Sequence, residues 1–388
     1  MKLPRPSALL ALAALLPIAA CAAPNATEPA RDADLFVGTG KSPVHTYRIP
    51  SLCVTKKGTL LAFAELRKHG AGDSGDIDTV VRRSEDGGKT WSADKVMLDI
   101  DKHTIGNACP IVDPKTGRIT VVAVWNRVHE YHTKPGYGDD TRLVYTTFSD
   151  DDGKTWSKPQ NISEQVKQPD WGWMATGPGG GIVKKLPPNA GRYIIPVNHS
   201  EFEEGKPDKD GKVKTRQVYY AHALYSDDSG KTWKSSKNFG DKGTNECEAV
   251  ELTNGDLMLN MRNQGTGKRD RAVAISKDGG ETWGETSYDK QLPEPVCQAA
   301  LVRHSWPQNG NPGLLLFSNP ASKKGRENMT LRASFDDGKT WPKSLVIQPA
   351  QAAYSHLAVL KDGTIAIAYE TDDYKRIAFR TLKTSELK

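Results

Sequence analysis

The chain has 388 residues, and its 53 Lys and Arg against 47 Asp and Glu give a formal net charge of +6. These charges are scattered and form no long basic run, so the composition argues against a nucleic-acid-binding protein and is compatible with an anionic substrate. The length alone suggests two or three domains, unless the chain is a closed array of repeats.

The N-terminal segment predicts export. A basic start is followed by the apolar run 9–20, which is too short to span a bilayer, and small residues then precede Cys21. This pattern is typical of a bacterial lipobox, so we expect residues 1–20 to be a signal peptide and Cys21 to carry a lipid anchor, at the outer membrane, the cell surface or in the periplasm. The alternative is an ordinary signal peptide cleaved after Ala23, which would give a periplasmic or secreted protein. We interpret residues 21–35, which are polar and contain proline, as a flexible tether.

Four cysteines follow this segment. Export permits disulfides, but these cysteines have neither CxxC spacing nor a nearby histidine at the spacing of zinc ligands. We therefore expect buried free thiols and no metal site; the four are Cys53, Cys109, Cys247 and Cys297.

From residue 36 onward, β-strand signals dominate. Apolar runs such as Ile119–Trp125 and Thr364–Tyr369 are separated by turn dipeptides such as Asn254-Gly255 and Asp362-Gly363. No long segment has the 3.6-residue periodicity of an amphipathic helix. The pattern predicts an all-β domain over residues 36–388.

An eight-residue motif, Ser-x-Asp-x-Gly-x-Thr-Trp, occurs five times. Its copies begin at residues 84, 149, 226, 276 and 334, and so lie 65, 77, 50 and 58 residues apart. Such spacing is the length of four strands with their loops, the size of one β-propeller blade. Dividing residues 36–388 by six gives about 59 residues per unit, which also fits a blade. We therefore predict a six-bladed β-propeller in which one blade lacks the motif or is closed by joining the termini.

The motif has the composition of an anchored turn. Ser and Asp side chains accept hydrogen bonds from nearby backbone, and Gly adopts positive φ at little cost. The Trp ring buries a large apolar surface. We expect each copy to stabilise its blade rather than to take part in chemistry.

The sequence Tyr47-Arg48-Ile49-Pro50, followed by five such motifs, resembles the bacterial and animal exo-α-sialidase (neuraminidase) family, in which the motif is called the Asp box. The resemblance extends over nearly the whole mature chain and implies a six-bladed β-propeller. It implies retaining cleavage of terminal sialic acid from sialylated glycans, without metal or organic cofactor and without nucleic acid. We expect a monomer.

The resemblance also implies which residues bind the substrate. Its carboxylate would be held by Arg48, by Arg262 in Met261-Arg262-Asn263 and by Arg326 in Gly325-Arg326-Glu327. Glu370 would orient Arg48, and Arg67 would lie near the 4-position of the sugar.

Three further residues match the catalytic positions of the family. Asp73 matches the acid/base aspartate, with Asp76 and Asp78 as competitors; we choose Asp73 because 77–81 alternates like a strand and leaves Asp73 in the loop before it. Tyr354 matches the nucleophile. Its base would be Glu246, in Asn245-Glu246-Cys247-Glu248, with Glu248 as the main alternative.

The chemistry of these residue types supports the assignment. Two cations 4 Å apart repel by about 4 kcal/mol at an effective dielectric constant of 20, so three converging arginines are hard to explain without an anionic ligand. A carboxylate nucleophile would be repelled by the substrate carboxylate, whereas a neutral phenol is not. Because an isolated phenol is a weak nucleophile, it needs a base within hydrogen-bond reach. An acid/base aspartate would need a raised pKa, through burial or a nearby charge.

Four weaker candidates remain. Asn107 lies in a stretch that resembles the N-acetyl-pocket loop of the family, and Gln298 is placed to face the site. Trp171 and Trp173 either form an apolar wall of the site or pack in the core.

Two other functions stay open. A non-catalytic Asp-box propeller that binds sialoglycans would lack at least one of Asp73, Glu246 and Tyr354, and this chain has all three. A catalytic chain could instead transfer sialic acid to another sugar, release an anhydro product or prefer a deaminated sialic acid. Linkage preference depends on loop shape and does not follow from the sequence.

Overall fold

The computed structural model describes residues 1, 32–205 and 214–388. Strands make up nearly all of the regular structure in these residues. In chain order they are β1 (Ala33–Val37), β2 (Thr46–Val54), β3 (Leu60–Arg67), β4 (Ile77–Ser84), β5 (Lys95–Leu98), β6 (Thr104–Val112), β7 (Ile119–Asn126), β8 (Arg142–Ser149), β9 (Gln160–Asn161), β10 (Met174–Thr176), β11 (Ile182–Val183), β12 (Tyr193–Glu204), β13 (Thr215–Ser226), β14 (Lys234–Ser235), β15 (Thr244–Glu251), β16 (Leu257–Asn263), β17 (Asp270–Ser276), β18 (Ser287–Pro293), β19 (Ala300–Ser305), β20 (Leu314–Pro320), β21 (Glu327–Ser334), β22 (Lys343–Val359), β23 (Ile365–Thr371) and β24 (Arg376–Leu382). The described helices are α1 (Ser163–Val166) and two 3₁₀ turns, Glu130–His132 and Thr384–Glu386, and none is long and apolar enough to cross a membrane.

Neighbouring strands pair antiparallel in six sets, five with four strands and one with five. The sets are β2–β5, β6–β9, β10 and β11 with β12–β14, β15–β18, β19–β21 with the first half of β22, and the second half of β22 with β23, β24 and β1. The strands nearest the centre contact one another in chain order, from β2 through β6, β12, β15 and β19 to β22, which returns to β2. The predicted all-β propeller class is confirmed. The number of six blades stays a prediction, because β4 and β6 share a bridge and the 17-residue β22 runs through two sets.

The first strand comes from the N-terminal end of the domain and closes the last sheet. β1 pairs with β24, and its Leu35 and Phe36 are buried. The compact unit therefore begins at Ala33, and residues 33–35, which we predicted to be the end of a flexible tether, belong to β1. The predicted signal peptide and Cys21 lie outside the described residues.

The core lies between the faces of adjacent sheets. One apolar cluster joins the β6–β8 sheet to β12 and β13, and another joins β23 and β24 to β2 and β3. Strands packed on both faces are buried along their whole length, as all eight residues of β3 and of β7 are, and most of these residues are apolar. This explains the continuous apolar runs that the sequence contains.

Each Asp box forms a turn, as predicted, and the structure places this turn between the last two strands of its set. In the second copy the carboxylate of Asp151 accepts hydrogen bonds from the hydroxyl groups of Ser149 and Thr155 and from the backbone N–H of Thr155. The other four copies repeat this pattern. The motif is thus a local turn; none of its copies lines the smaller cavity described below, and only Ser229 of the third copy lines the larger one.

Candidate active site

Four of the strands nearest the centre carry a β-bulge that adjoins a predicted site residue. The pairing register shifts between Arg48 and Ser51 in β2, between Gly106 and Cys109 in β6, between Thr244 and Cys247 in β15, and between Ala352 and Ser355 in β22. A bulge turns a side chain out of the regular alternation of a strand. These bulges direct Arg48, Asn107, Glu246 and Tyr354 into one cavity of about 170 Å³.

Tyr354 stands among the three predicted arginines. Nη1 of Arg262 is 3.0 Å from the Tyr354 hydroxyl, and the guanidinium carbons of Arg48 and Arg326 are 5.2 and 5.4 Å from the centre of the Tyr354 ring. The structure therefore brings Arg48, Arg262 and Arg326 together around one phenol, although they lie in different sheets.

Glu246 lies next to the same phenol. The Tyr354 hydroxyl donates a hydrogen bond to Oε1 of Glu246, while Oε2 accepts from Nη1 of Arg262 at 2.6 Å. Burial, followed by the negative charge of Glu246, raises the pKa of Tyr354 well above its usual value, and Arg262 and Arg326 oppose this shift. The phenol is therefore neutral at rest, and Glu246 is the carboxylate positioned to take its proton.

The alternative base, Glu248, points elsewhere. Its carboxylate lies 3.4 Å from Nε2 of His356 and accepts a hydrogen bond from the backbone N–H of Gly180. It lines a second, larger cavity of about 860 Å³, which opens at the other end of the central strands. None of the predicted catalytic or carboxylate-binding residues lines that larger cavity.

Glu370 is fully buried and holds both the first arginine and the backbone of the tyrosine. Its Oε1 accepts from Nε of Arg48 at 2.6 Å and from the N–H of Ile49 at 2.8 Å, and its Oε2 accepts from the N–H of Tyr354 at 3.2 Å. Ile49 has a φ of 59°, a rare value for a β-branched residue, and its hydrogen bond to Glu370 helps to hold it there. Glu370 thus fixes the geometry of two bulges.

Asp73 reaches the cavity from the loop before β4. Its Oδ1 is 2.7 Å from Nη1 of Arg67 and 3.9 Å from Nη1 of Arg48, and its side chain is 66% exposed. Desolvation acts to raise the pKa of Asp73, but the charges of Arg67 and Arg48 outweigh it and keep the pKa below its usual value. The raised pKa that we expected of an acid/base aspartate is therefore not present in the empty site. Asp76 and Asp78 form ion pairs with Lys68 instead, at 2.6 and 2.8 Å, and do not line the cavity.

Arg67 is held by a buried carboxylate that sequence reasoning missed. Oε2 of Glu65 is 2.7 Å from Nη2 of Arg67, and Oε1 accepts the N–H of Asn107 at 3.0 Å. Asn107 does line the cavity, with a φ of 53°, and its Oδ1 accepts from Arg142. The Glu-x-Arg spacing of Glu65 and Arg67 on one strand was the available signal.

The cavity has further walls that the sequence did not reveal. Arg142 is buried and stacks on Trp173, with its guanidinium carbon 3.5 Å from the ring centre, and burial lowers the pKa of Arg142 to about 10. Other polar lining residues that we did not predict are Glu130, Asn245 and Gln264. None of the three belongs to a sequence motif that would distinguish it.

Two weaker candidates lie away from the cavity. The amide of Gln298 is buried between the carbonyl of Pro178 and the N–H of Ser355, so this residue supports the strand that carries Tyr354 and does not face the site. Trp171 packs in the core, stacked on His199 at 3.6 Å between ring centres. Of the two tryptophans, only Trp173 forms a wall of the cavity.

Comparison with known proteins gives consistent matches. Residues 58–367 match the family model described as a BNR repeat-like domain. The chain is 36% identical over 362 residues to a sialidase of Bacteroides fragilis, covering 88% of this chain and 62% of that protein. It is 30% identical over 354 residues to a sialidase of Paraclostridium sordellii, covering 84% and 81%. A solved structure, the Hadza microbial sialidase Hz136, superposes with a TM-score of 0.78 at 33% identity, covering 89% of this chain and 67% of that one.

Proposed function

The chain belongs to the sialidase family, and on that premise we propose that it is a retaining exo-α-sialidase. Its substrates would be glycoproteins, glycolipids and oligosaccharides that end in an α-linked sialic acid. The observation that carries the proposal is the hydrogen bond from the Tyr354 hydroxyl to Glu246 in the middle of three arginines. A phenol with its own base and a surrounding positive charge suits attack on a carbon that bears a carboxylate.

Substrate binding would use the three arginines. Arg48, Arg262 and Arg326 present planar guanidinium groups, which bind carboxylates through paired hydrogen bonds. Holding the carboxylate there would place the anomeric carbon, to which it is attached, next to the Tyr354 hydroxyl. Arg67, fixed by Glu65, would contact the sugar near its 4-position.

The first half-reaction forms a tyrosyl–sugar bond. Glu246 takes the phenolic proton as the Tyr354 oxygen attacks the anomeric carbon. The bond between that carbon and the leaving oxygen breaks, and Asp73 donates its proton to the leaving oxygen. The aglycone departs as an alcohol, and Asp73 is left as a carboxylate.

The second half-reaction returns the enzyme to its starting state. Asp73 removes a proton from water as the water oxygen attacks the anomeric carbon, and the bond to Tyr354 breaks. Glu246 gives its proton back to the phenolate. Two displacements at the same carbon give net retention, and sialidases with a tyrosine nucleophile are a recognised exception to the two-carboxylate scheme of glycosidases.

Asp73 must be protonated to begin the cycle, and bound substrate would raise its pKa. The substrate carboxylate would offset the charge of Arg48, and the sugar would exclude water from a side chain that is 66% exposed in the empty site. Both changes disfavour the aspartate anion.

Turnover of a fluorogenic sialoside, with NMR identification of the first-formed product, tests the proposal. We expect the α-anomer of free sialic acid, and Tyr354→Phe should lower kcat by more than a hundredfold. A loss of less than tenfold would contradict the role of Tyr354. Transfer to an added acceptor sugar, or release of an anhydro sugar, would contradict hydrolysis while leaving the site assignment in place.

We also propose that the chain is exported and anchored through Cys21. The apolar run 9–20 and the small residues before Cys21 support this proposal. Cys21→Ser should move the activity from the membrane fraction to the soluble fraction of the producing cells, and an unchanged distribution would contradict the anchor.

A further inference from the structure

Arg326 differs from the other two arginines of the site in its partners. Arg48 has Glu370 at 2.6 Å, and Arg262 has Glu246 at 2.6 Å. Among the described residues no carboxylate lies within ion-pair distance of Arg326; its guanidinium donates to the carbonyl of Val296 and to the hydroxyl of Tyr374, each at 3.2 Å. Both of these partners are neutral.

Tyr374 contacts two of the three arginines at once. Its hydroxyl accepts the hydrogen bond from Nη1 of Arg326, and the centre of its ring lies 4.4 Å from the guanidinium carbon of Arg48. A cation is attracted to the face of an aromatic ring at this distance. The ring also packs against the apolar cluster formed by Ile49, Cys297, Ala353 and Tyr354. One side chain therefore links Arg48, Arg326 and the flank of the nucleophile.

The backbone at Tyr374 is held in an unusual conformation. Asp372, Asp373 and Tyr374 have φ values of 53°, 52° and 65°, so three consecutive residues other than glycine are left-handed. The turn is retained by hydrogen bonds from the N–H of Asp373 to the side chain of Gln351 and from Arg376 to the Asp372 carboxylate. Strained backbone of this kind persists where the surrounding structure enforces it, and it clusters at functional sites.

We propose that Tyr374 is a positioning residue of the carboxylate site, which holds Arg326 and Arg48 in their binding geometry before the substrate arrives. This inference rests on the proposed sialidase function. Its chemical basis is the neutrality of the phenol. An aspartate or glutamate at this position would pair with Arg326 and oppose the substrate carboxylate, whereas a phenol satisfies one N–H of Arg326 and leaves its charge available.

Two variants test the proposal against a fluorogenic sialoside. Tyr374→Phe removes the hydrogen bond and keeps the ring, so KM should rise about fivefold while kcat stays within about twofold. Tyr374→Leu also removes the ring face under Arg48, so KM should rise at least about twentyfold. The dissociation constants of 2,3-dehydro-2-deoxy-N-acetylneuraminic acid and of its methyl ester give the preference of the site for the free carboxylate over the ester. We expect the preference for the acid over the ester to fall about fivefold in Tyr374→Phe.

Tyr288→Phe is the matched control. The Tyr288 hydroxyl donates a hydrogen bond to Asp241 at 3.1 Å, and the centre of its ring lies 3.2 Å from Nζ of Lys268, but Tyr288 belongs to β18, away from the cavity. This variant should leave KM and the acid-to-ester preference unchanged.

The outcomes separate this inference from the proposed function. Folded Tyr374 variants that keep the wild-type KM and acid-to-ester preference would overturn the inference, as would equal losses of affinity for acid and ester. A wild-type chain that neither hydrolyses the sialoside nor binds the acid would instead overturn the proposed function.

Discussion

The replacement Glu370→Gln removes one negative charge from the centre of the site. In the wild-type protein this buried carboxylate accepts three hydrogen bonds, from Nε of Arg48 and from the N–H groups of Ile49 and Tyr354. Glutamine keeps one acceptor oxygen, but its NH₂ group replaces the other. That NH₂ group cannot accept a hydrogen bond from the backbone or guanidinium donor that it would face. Arg48, itself only 9% exposed, would also lose its nearest counter-ion.

The expected loss of stability is large. Removing one partner of a buried ion pair costs about 3–5 kcal/mol, because the other charge stays buried without compensation. Since glutamine still accepts one hydrogen bond, we expect a decrease of about 3 kcal/mol in the free energy of unfolding. Activity should fall as well, because both Arg48 and the backbone of Tyr354 lose their anchor. A displacement of about 1 Å in such groups can cost a hundredfold, so kcat/KM should fall by about that factor.

Glu251→Gln is a matched control from the other end of the same ring of strands. Glu251 is also buried and accepts one ammonium and two backbone hydrogen bonds, from Nζ of Lys184 at 2.9 Å, from the N–H of Lys185 at 2.6 Å and from the N–H of Leu186 at 2.8 Å. Urea unfolding and sialoside turnover should show a similar loss of stability in both variants, with kcat/KM lowered only in Glu370→Gln. If both variants lost activity equally, or if Glu370→Gln kept wild-type kcat/KM, our account of Glu370 would be refuted.

Three further predictions concern the catalytic groups and the repeats. Arg67→Met removes the cation closest to the Asp73 carboxylate and therefore raises the pKa of Asp73. In the pH profile of kcat/KM the alkaline limb should then move to higher pH, and an unmoved limb would contradict the role of Asp73 as the acid. In steady-state kinetics, Glu246→Gln should lower kcat by at least about a hundredfold and Glu248→Gln by less than about threefold. The opposite pattern would show that Glu248, not Glu246, is the base. Asp151→Ala breaks one Asp-box turn and should lower the free energy of unfolding by about 1–2 kcal/mol with kcat nearly unchanged, so a large loss of kcat in folded protein would contradict a purely structural box.

The repeated turns could be predicted because their interactions are local. Within each Asp box the Ser, Asp, Gly and Thr that bond to one another lie within six residues of sequence, so the pattern itself specifies the contacts. The spacing of the boxes then gave the length of the repeating unit, and the strands between them followed from continuous apolar runs. The start of the domain was misplaced because β1 takes its place only by pairing with β24, more than 300 residues away.

The surroundings of neighbouring carboxylates could be seen only in the tertiary structure. Asp73 and Asp76 lie three residues apart, yet one contacts Arg67 and the other Lys68. Glu246 and Glu248 line different cavities. The strand-like pattern of residues 77–81 favoured Asp73 in the sequence, but it did not reveal the partners of these carboxylates, because the partners are set by which side chains the neighbouring sheets bring to them.

The sequence by itself determined the fold class, the repeat and, through the family resemblance, the residue types of the site. Only the tertiary structure decided that Gln298 supports a strand rather than facing the cavity, that Arg142 forms part of its wall and that Tyr374 lies between two arginines. The physical reason is the range of the interactions. Turns and strands depend on residues close in the chain, whereas the site is assembled where bulges in separate sheets meet. The contact of Tyr374 with Arg48, for example, joins residues from opposite ends of the domain's sequence.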